Sequence, residues 1–199
     1  TAHPAYVLHS FFVKINGGRT VTVDLDDDFQ LDVDKINSTK GKLVLLCTPN
    51  NPTANTFRPD DLKAVIEGND RPVVVDEAYG EYTGSSFLPL VNRYDNLIVT
   101  RTFSKAYGLA GMRIGYMAAG PEMAEAMQKV KIPYSLNMIG ERVAIAALRD
   151  REFLERSVRT VNQERPFLMK GLSDLGFRVF PSEANYILFR TDLPSDVIT

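Results

Sequence analysis

Three consecutive valines, Val73 to Val75, bounded by Pro72 and by the acidic pair Asp76-Glu77, constrain this chain more than any other stretch. A run that is apolar at every position, without polar alternation, suits a sheet covered on both faces. Such sheets are mostly parallel, and parallel strands need crossover connections. The surrounding sequence supplies them. Lys42 to Cys47 is a second strand of the buried type, and Leu97 to Thr102 a third. Between Cys47 and Pro72, the segment Pro59 to Gly68 places Leu62, Val65 and Ile66 on one side of a helix opened by Pro59. The alternation predicts an α/β fold.

The flanks extend the pattern. Ala5 to Asn16 spaces Leu8, Phe11, Phe12 and Ile15 as a helix does, and Gly17-Gly18 ends it. Arg19 to Leu25 alternates like a strand, and Leu31 to Ile36 forms a short helix or turn. Met112 to Ala119 is a further strand, able to run the other way. Beyond Pro121 three helices follow, Glu122 to Lys131, Leu136 to Leu148 and Arg151 to Gly176, the last expected to kink at Pro166. Two short strands, Phe177 to Phe180 and Tyr186 to Arg190, come next. The final Pro-Ser-Asp-Val-Ile-Thr resembles the first turn of a helix capped by Ser195 or Asp196, and the first residue is Thr1, so a piece of a longer protein is expected.

Composition removes several functional classes. With 23 basic and 25 acidic residues well mixed, and a net charge of −2, no nucleic-acid or membrane-surface partner is expected. No apolar run approaches the length of a membrane span. The single cysteine, Cys47, cannot form an internal disulfide, ends an apolar run and reads as core in a protein of a reducing compartment. His3 and His9 lack a cysteine or carboxylate cluster at ligand spacing, so no metal is expected. The acidic stretch Asp24 to Asp34 has Phe29 where a calcium loop needs glycine and Lys35 where it needs glutamate, and reads as a solvated loop.

The chemistry lies where the strands end. The strand closing at Cys47 runs into Thr48-Pro49-Asn50-Asn51-Pro52-Thr53, the valine strand into Asp76-Glu77-Ala78-Tyr79, and the third into Thr102, Ser104 and Lys105. Gly108, Gly111 and Gly115 follow, with Arg113 among them, but they spell neither a Walker loop nor a dinucleotide fingerprint. Each residue has a plain structural alternative: Asn-Pro starts turns, Asp76 could cap a helix, and Tyr79 could be core. If the strands are parallel neighbours, however, all three ends meet at one sheet edge, where α/β folds bind ligands. An amine, a carboxylate, a phenol, an amide, hydroxyls and a guanidinium gathered there are the set that pyridoxal phosphate chemistry needs. The amine condenses with the cofactor aldehyde, the carboxylate keeps the pyridine nitrogen protonated, and the guanidinium fork suits the phosphate.

Segments Cys47 to Thr53, Val73 to Tyr79 and Arg101 to Gly115 resemble the fold-type I pyridoxal-phosphate aminotransferases. Pro4-Ala5-Tyr6, Ser86-Phe87-Leu88, Pro133 to Asn137 and Pro181 to Tyr186 resemble its histidinol-phosphate branch in particular. The resemblance implies a three-layer, mostly parallel sheet with helices on both faces. It further implies a cofactor-binding large domain over residues 1–165, lacking its N-terminal part, and a connecting helix with the start of a small α/β domain over 166–199. It assigns Lys105, Asp76 and Tyr79 to catalysis. Asn51 and Tyr79 would bond the ring hydroxyl, Tyr6 would stack on the ring, and Thr102, Ser104 and Arg113 would hold the phosphate. A cis bond is common in the family before the proline of Asn51-Pro52. Two departures stand out: Ala54 follows Asn-Pro-Thr where glycine is usual, and His9 stands where a tyrosine is common. The arginine that binds the substrate carboxylate in the family is not present in this sequence.

The resemblance implies a cytoplasmic homodimer that passes an amino group between histidinol phosphate and 2-oxoglutarate. Alternatives are an aromatic amino-acid aminotransferase, a phosphothreonine decarboxylase, or, from a different class, a non-catalytic cofactor-sensing domain of a regulator.

Overall fold

In the computed structural model, residues 1–192 are described, so the expected helix start at Ser195 or Asp196 lies outside the described residues. The chain runs β1 (Ala2–His3), α1 (Val7–Ile15), β2 (Val23–Asp24), α2 (Val33–Ser38), β3 (Val44–Cys47), α3 (Pro59–Glu67), β4 (Val73–Asp76), β5 (Leu97–Thr102) and β6 (Gly115–Ala119). Helices α4 (Pro121–Val130), α5 (Met138–Arg149) and α6 (Arg151–Asp174) follow, then β7 (Arg178–Val179) and β8 (Phe189–Arg190).

The central sheet has the order β3-β4-β5-β6. Its first three strands are parallel, as the valine run requires, and β6 runs antiparallel to β5. Register aligns Cys47 with Asp76 and Asp76 with Thr100, so the three polar strand ends lie side by side. Gly115 belongs to this pairing: opposite Thr102, a Cβ there would meet the Arg101 carbonyl oxygen at 2.8 Å.

Val73, Val75, Leu97 and Val99 are fully buried, and they pack with Leu46, Leu62, Val65 and Ile66 in one core. Each such side chain contributes roughly 1.5–3 kcal/mol. Helix α3 joins this core through the apolar side read from its spacing. Helix α1 behaves differently: Phe11, Phe12 and Ile15 stay half exposed or more within this chain.

Two local expectations are corrected. Only Val23–Asp24 of the stretch Arg19 to Leu25 is strand, because backbone pairing needs a neighbour and β1 pairs only there. The acidic stretch is partly structural. One Asp26 oxygen accepts from the backbone N–H groups of Asp28 (2.9 Å) and Gln30 (2.7 Å), and Asp32 caps α2 by accepting from Lys35 N–H (3.0 Å). Helix α6 runs unbroken through Pro166. Its side chains packed beneath the strand ends, Leu154, Val158 and Val161, all precede that proline. Among the described residues, no helix is long and apolar enough to cross a membrane, and no three metal-ligating side chains gather.

Candidate functional site

The turn after β3 is built from its polar residues. Asn50 donates to the Pro4 carbonyl (3.0 Å) and to Thr53 Oγ1 (2.8 Å), which ties the start of the chain to this turn. Ala54 N–H closes the turn on the Asn50 carbonyl at 2.8 Å, and Ala54 is buried in the left-handed conformation, φ 64°. The Asn51–Pro52 bond is cis, as are Thr48–Pro49 and His3–Pro4. Asn51 Nδ2, projecting from this turn, donates to Tyr79 Oη at 3.2 Å.

Asp76 ends β4 and is held by three donors. Its Oδ1 accepts from Thr100 Oγ1 on the next strand and from Ala78 N–H, both at 3.1 Å, while His9 Nε2 stands 3.2 Å from Oδ2. With about a fifth of its side chain exposed, the carboxylate is fixed yet reachable. Its bond to Ala78 explains the helix-cap alternative only in part, since the next helical turn, Gly80–Tyr82, begins after Tyr79 and has no side-chain cap.

Lys105 lies in the turn beyond β5, its Nζ 5.3 Å from the centroid of the Tyr79 ring. Among the described residues no carboxylate lies within ion-pair distance of it. Thr102 Oγ1 accepts from Ser104 N–H at 3.1 Å, which shapes the loop between strand and lysine. Phe103 N–H bonds the Ile114 carbonyl (3.1 Å) and anchors the same loop to the start of β6.

The structure thus brings together Asn51, Tyr79 and Lys105 directly, and Asp76 through the shared strand edge. Thr102 and Ser104 sit on the lysine loop. Tyr6 meets His9 edge to face, with ring centroids 5.4 Å apart, and so borders Asp76 through the histidine. Arg113 is left-handed at φ 56° and donates to the Ala110 carbonyl at 2.8 Å; no hydrogen bond joins it to the other members.

Cys47 is inert here. Burial, then the nearby Asp76 charge, pushes its thiol well above the ordinary range, and its Sγ–H points to the Pro49 carbonyl. The sequence shows Tyr186 only as the end of the Pro181 to Tyr186 motif and the start of an expected strand. It packs edge to face on Tyr79 at 5.1 Å and donates to the Asn50 carbonyl at 2.7 Å, and burial, then Tyr79, raises its phenol.

Sequence reasoning missed three contributors. His9 reads in the sequence as a departure from the family and as a histidine without metal-ligand neighbours, although it stands in the first turn of α1, three residues after the N-cap Tyr6. Thr100 precedes the lysine motif and carried no signal of its own. Glu77, Glu81 and Arg101 form a buried ion cluster; alternation along β5 could have turned Arg101 away from Thr100 and Thr102, but nothing local joins it to the two glutamates. The chemical reach of the whole is plain: an amine with no carboxylate partner among the described residues, a positioned carboxylate and a phenol–amide pair can hold a flat, anionic, carbonyl-bearing molecule and move a proton beside it.

Comparison with known proteins follows the same line. The sequence profile described as aminotransferase class I and II matches residues 1–195. Histidinol-phosphate aminotransferase of Caldanaerobacter subterraneus subsp. tengcongensis is 38% identical over 200 residues, covering 98% of this chain and 57% of that protein. The Methanocaldococcus jannaschii histidinol-phosphate aminotransferase is 46% identical over 171 residues, covering 83% of this chain and 46% of its own length. The crystal structure of histidinol-phosphate aminotransferase from Clostridium acetobutylicum superposes with a TM-score of 0.92 at 26% identity, over 99% of this chain and 63% of that one. That from Sinorhizobium meliloti, solved in complex with pyridoxal-5'-phosphate, gives 0.84 at 31% identity, over 92% and 52%. The chain therefore spans about half the length of the curated relatives it matches.

Proposed function

The chain belongs to the class I and II aminotransferases, and from that premise we propose that it is the cofactor-binding part of a pyridoxal-phosphate enzyme. The reaction is transamination between histidinol phosphate and 2-oxoglutarate, giving imidazole-acetol phosphate and glutamate. The observation that carries the reading is the juxtaposition of Asp76, the Asn51–Tyr79 pair and Lys105 at adjacent parallel strand ends. Its substrate side rests on the named relatives.

The residues fit the cofactor by their chemistry. Asp76, with His9 and Thr100 fixing its two oxygens, is the carboxylate for the pyridine nitrogen. Asn51 and Tyr79 are the partners of the ring hydroxyl, Tyr6 is the stacking ring, and Thr102, Ser104 and Arg113 are the phosphate ligands. Pyridoxal phosphate, when bound, supplies an aldehyde to engage amines and a protonated ring to delocalise charge from Cα. Lys105 Nζ, poised over the Tyr79 face, is the attachment point and the base that carries the proton at the substrate Cα. Asp76 sustains the ring charge through an opposite charge in a partly dry site.

We assign residues 1–165 to the cofactor-binding domain and 166–199 to the connecting helix and the small domain's beginning; the division falls inside α6. The amino donor and 2-oxo acid are small molecules, and the exposed Phe11, Phe12 and Ile15 of α1 support a homodimeric whole protein. Its lone buried cysteine supports a cytoplasmic setting. For the test, the product of the complete reading frame is incubated with pyridoxal phosphate and reduced with borohydride. Peptide mapping is expected to find the label on Lys105. Recovery on Lys42 or Lys131 would sink the assignment.

A further inference from the structure

The buried ion cluster of Arg101, Glu77 and Glu81 lies behind the strand ends, and the mechanism above does not use it. Arg101 Nε and Nη2 both donate to Glu77 Oε2, at 2.9 and 2.7 Å, and Nη1 donates to Glu81 Oε1 at 2.8 Å. The Arg101, Glu77 and Glu81 side chains are 10%, 2% and 6% exposed. Glu77 is further fixed by Ser86 Oγ–H (2.7 Å) and Phe87 N–H (2.5 Å), while Glu81 Oε2 is buried without a partner. Burial works against the Arg101 charge, yet Glu81 and Glu77 hold its pKa above the ordinary value.

The placement follows the site residues step by step. Glu77 follows Asp76, Glu81 follows Tyr79 by two positions, and Arg101 lies between Thr100, which bonds Asp76, and Thr102. Successive residues of β5 face opposite sides, so Arg101 points away from Thr100 and Thr102, and its guanidinium joins β5 to Glu77, next to Asp76, and to Glu81 in the turn that follows Tyr79. A buried ion cluster is a poor source of stability, since apolar residues of like volume often do as well. Its planar fork, by contrast, fixes direction as well as distance. We propose that Arg101 is a positioning residue: by clamping Glu77 and Glu81 it sets the angle at which Asp76, Tyr79 and the Thr102–Lys105 loop present themselves to the cofactor. This rests on the reading of the site given above.

Gly80 supports the tight fit. A Cβ there would meet Arg101 Nη2 at 3.2 Å, Arg101 Cζ at 3.3 Å and Glu77 Cβ at 3.1 Å. Three variants of the complete protein test the proposal: Arg101→Lys, Glu81→Gln and Gly80→Ala. Each is assayed well below its own melting temperature for pyridoxal phosphate Kd, by absorbance titration, and for the rate of borohydride-fixable labelling at Lys105. Loss of the fork in Arg101→Lys is expected to raise Kd about tenfold or more, as misplaced binding groups do. Glu81→Gln and Gly80→Ala should move Kd the same way by a smaller factor, about threefold. A lowered melting temperature with wild-type Kd and labelling rate in the folded variants would overturn the proposal, since a merely structural cluster behaves so. Should Arg101→Lys not fold, the other two decide by the same criterion. Absence of label on Lys105 in the unmodified protein would instead strike the reading of the site.

Discussion

Ala54 offers the sharpest quantitative test of the turn that carries Asn51. It is fully buried among Tyr79, Tyr82, Ala106 and Ala184, its φ is 64°, and its carbonyl accepts from Glu183 N–H at 2.7 Å. Ala54→Gly therefore acts in two opposed ways. A left-handed conformation costs an alanine roughly 1–2 kcal/mol that glycine does not incur. Against this stand ~0.8 kcal/mol for the buried methyl, ~0.6 for the cavity it leaves, and ~0.4–1 for the greater freedom of glycine in the unfolded chain. The terms nearly cancel, leaving a loss of about 0.5 kcal/mol and at most about 1.4. At Ala184, equally buried but without a positive φ, nothing offsets the loss, so Ala184→Gly should cost about 2 kcal/mol. Equilibrium urea unfolding, with unchanged m-values, measures both. In melting temperature the pair should differ by a few degrees, given ~2–4 °C per kcal/mol for a chain of this size. If Ala54→Gly loses as much as Ala184→Gly, no backbone cost is stored at residue 54 and the reasoning fails.

Other expectations follow from the site and its surroundings. Asp76→Asn should preserve the fold and some cofactor binding but slow Cα deprotonation by orders of magnitude in the complete protein, because a neutral pyridine is a poor sink for charge; near-normal single-turnover rates would reduce Asp76 to a structural role. Removal of the substrate phosphate should lower kcat/KM at least ~100-fold, which steady-state comparison of histidinol with histidinol phosphate would measure. Equal efficiency with both, or a preference for phenylalanine or tyrosine, would point to the aromatic aminotransferases, and release of carbon dioxide from phosphothreonine to the decarboxylases. Tyr82 is raised from 10.0 to about 12 by burial, then by Glu81 and Tyr79. The folded state thus holds that proton longer than the unfolded chain, and its contribution to stability, complete below pH 10, should fall between pH 10 and about 12 by up to ~1.4 kcal/mol per unit. Denaturant titrations of the wild type and Tyr82→Phe across that window should diverge; parallel curves would contradict the assigned burial.

Much of this protein was legible before folding was considered. A valine run without polar alternation excludes a one-sided sheet, and the helical spacing between Cys47 and Pro72 makes parallel pairing the natural outcome, as β3, β4 and β5 bear out. The polar residues at those strand ends could be recognised by their joint presence, since each alone has a plain structural reading while an amine, a carboxylate, a phenol and an amide at one sheet edge suit a bound ligand. The reversed direction of β6 was anticipated as an option but decided by pairing with β5. Beyond this, tertiary contact ruled. His9 and Asp76 are 67 positions apart and meet at 3.2 Å, a proximity no local pattern encodes. Arg101 reaches Glu77 and Glu81 only because β4 and β5 are neighbours and the chain beyond β4 turns at Gly80–Tyr82, which brings both carboxylates to the Arg101 side chain. Tyr186 reaches Asn50 across 136 positions because the chain after α6 folds back over the turn. Spacing along the chain governs which face a residue takes within its own element; what it meets there depends on distances that only the packed elements set.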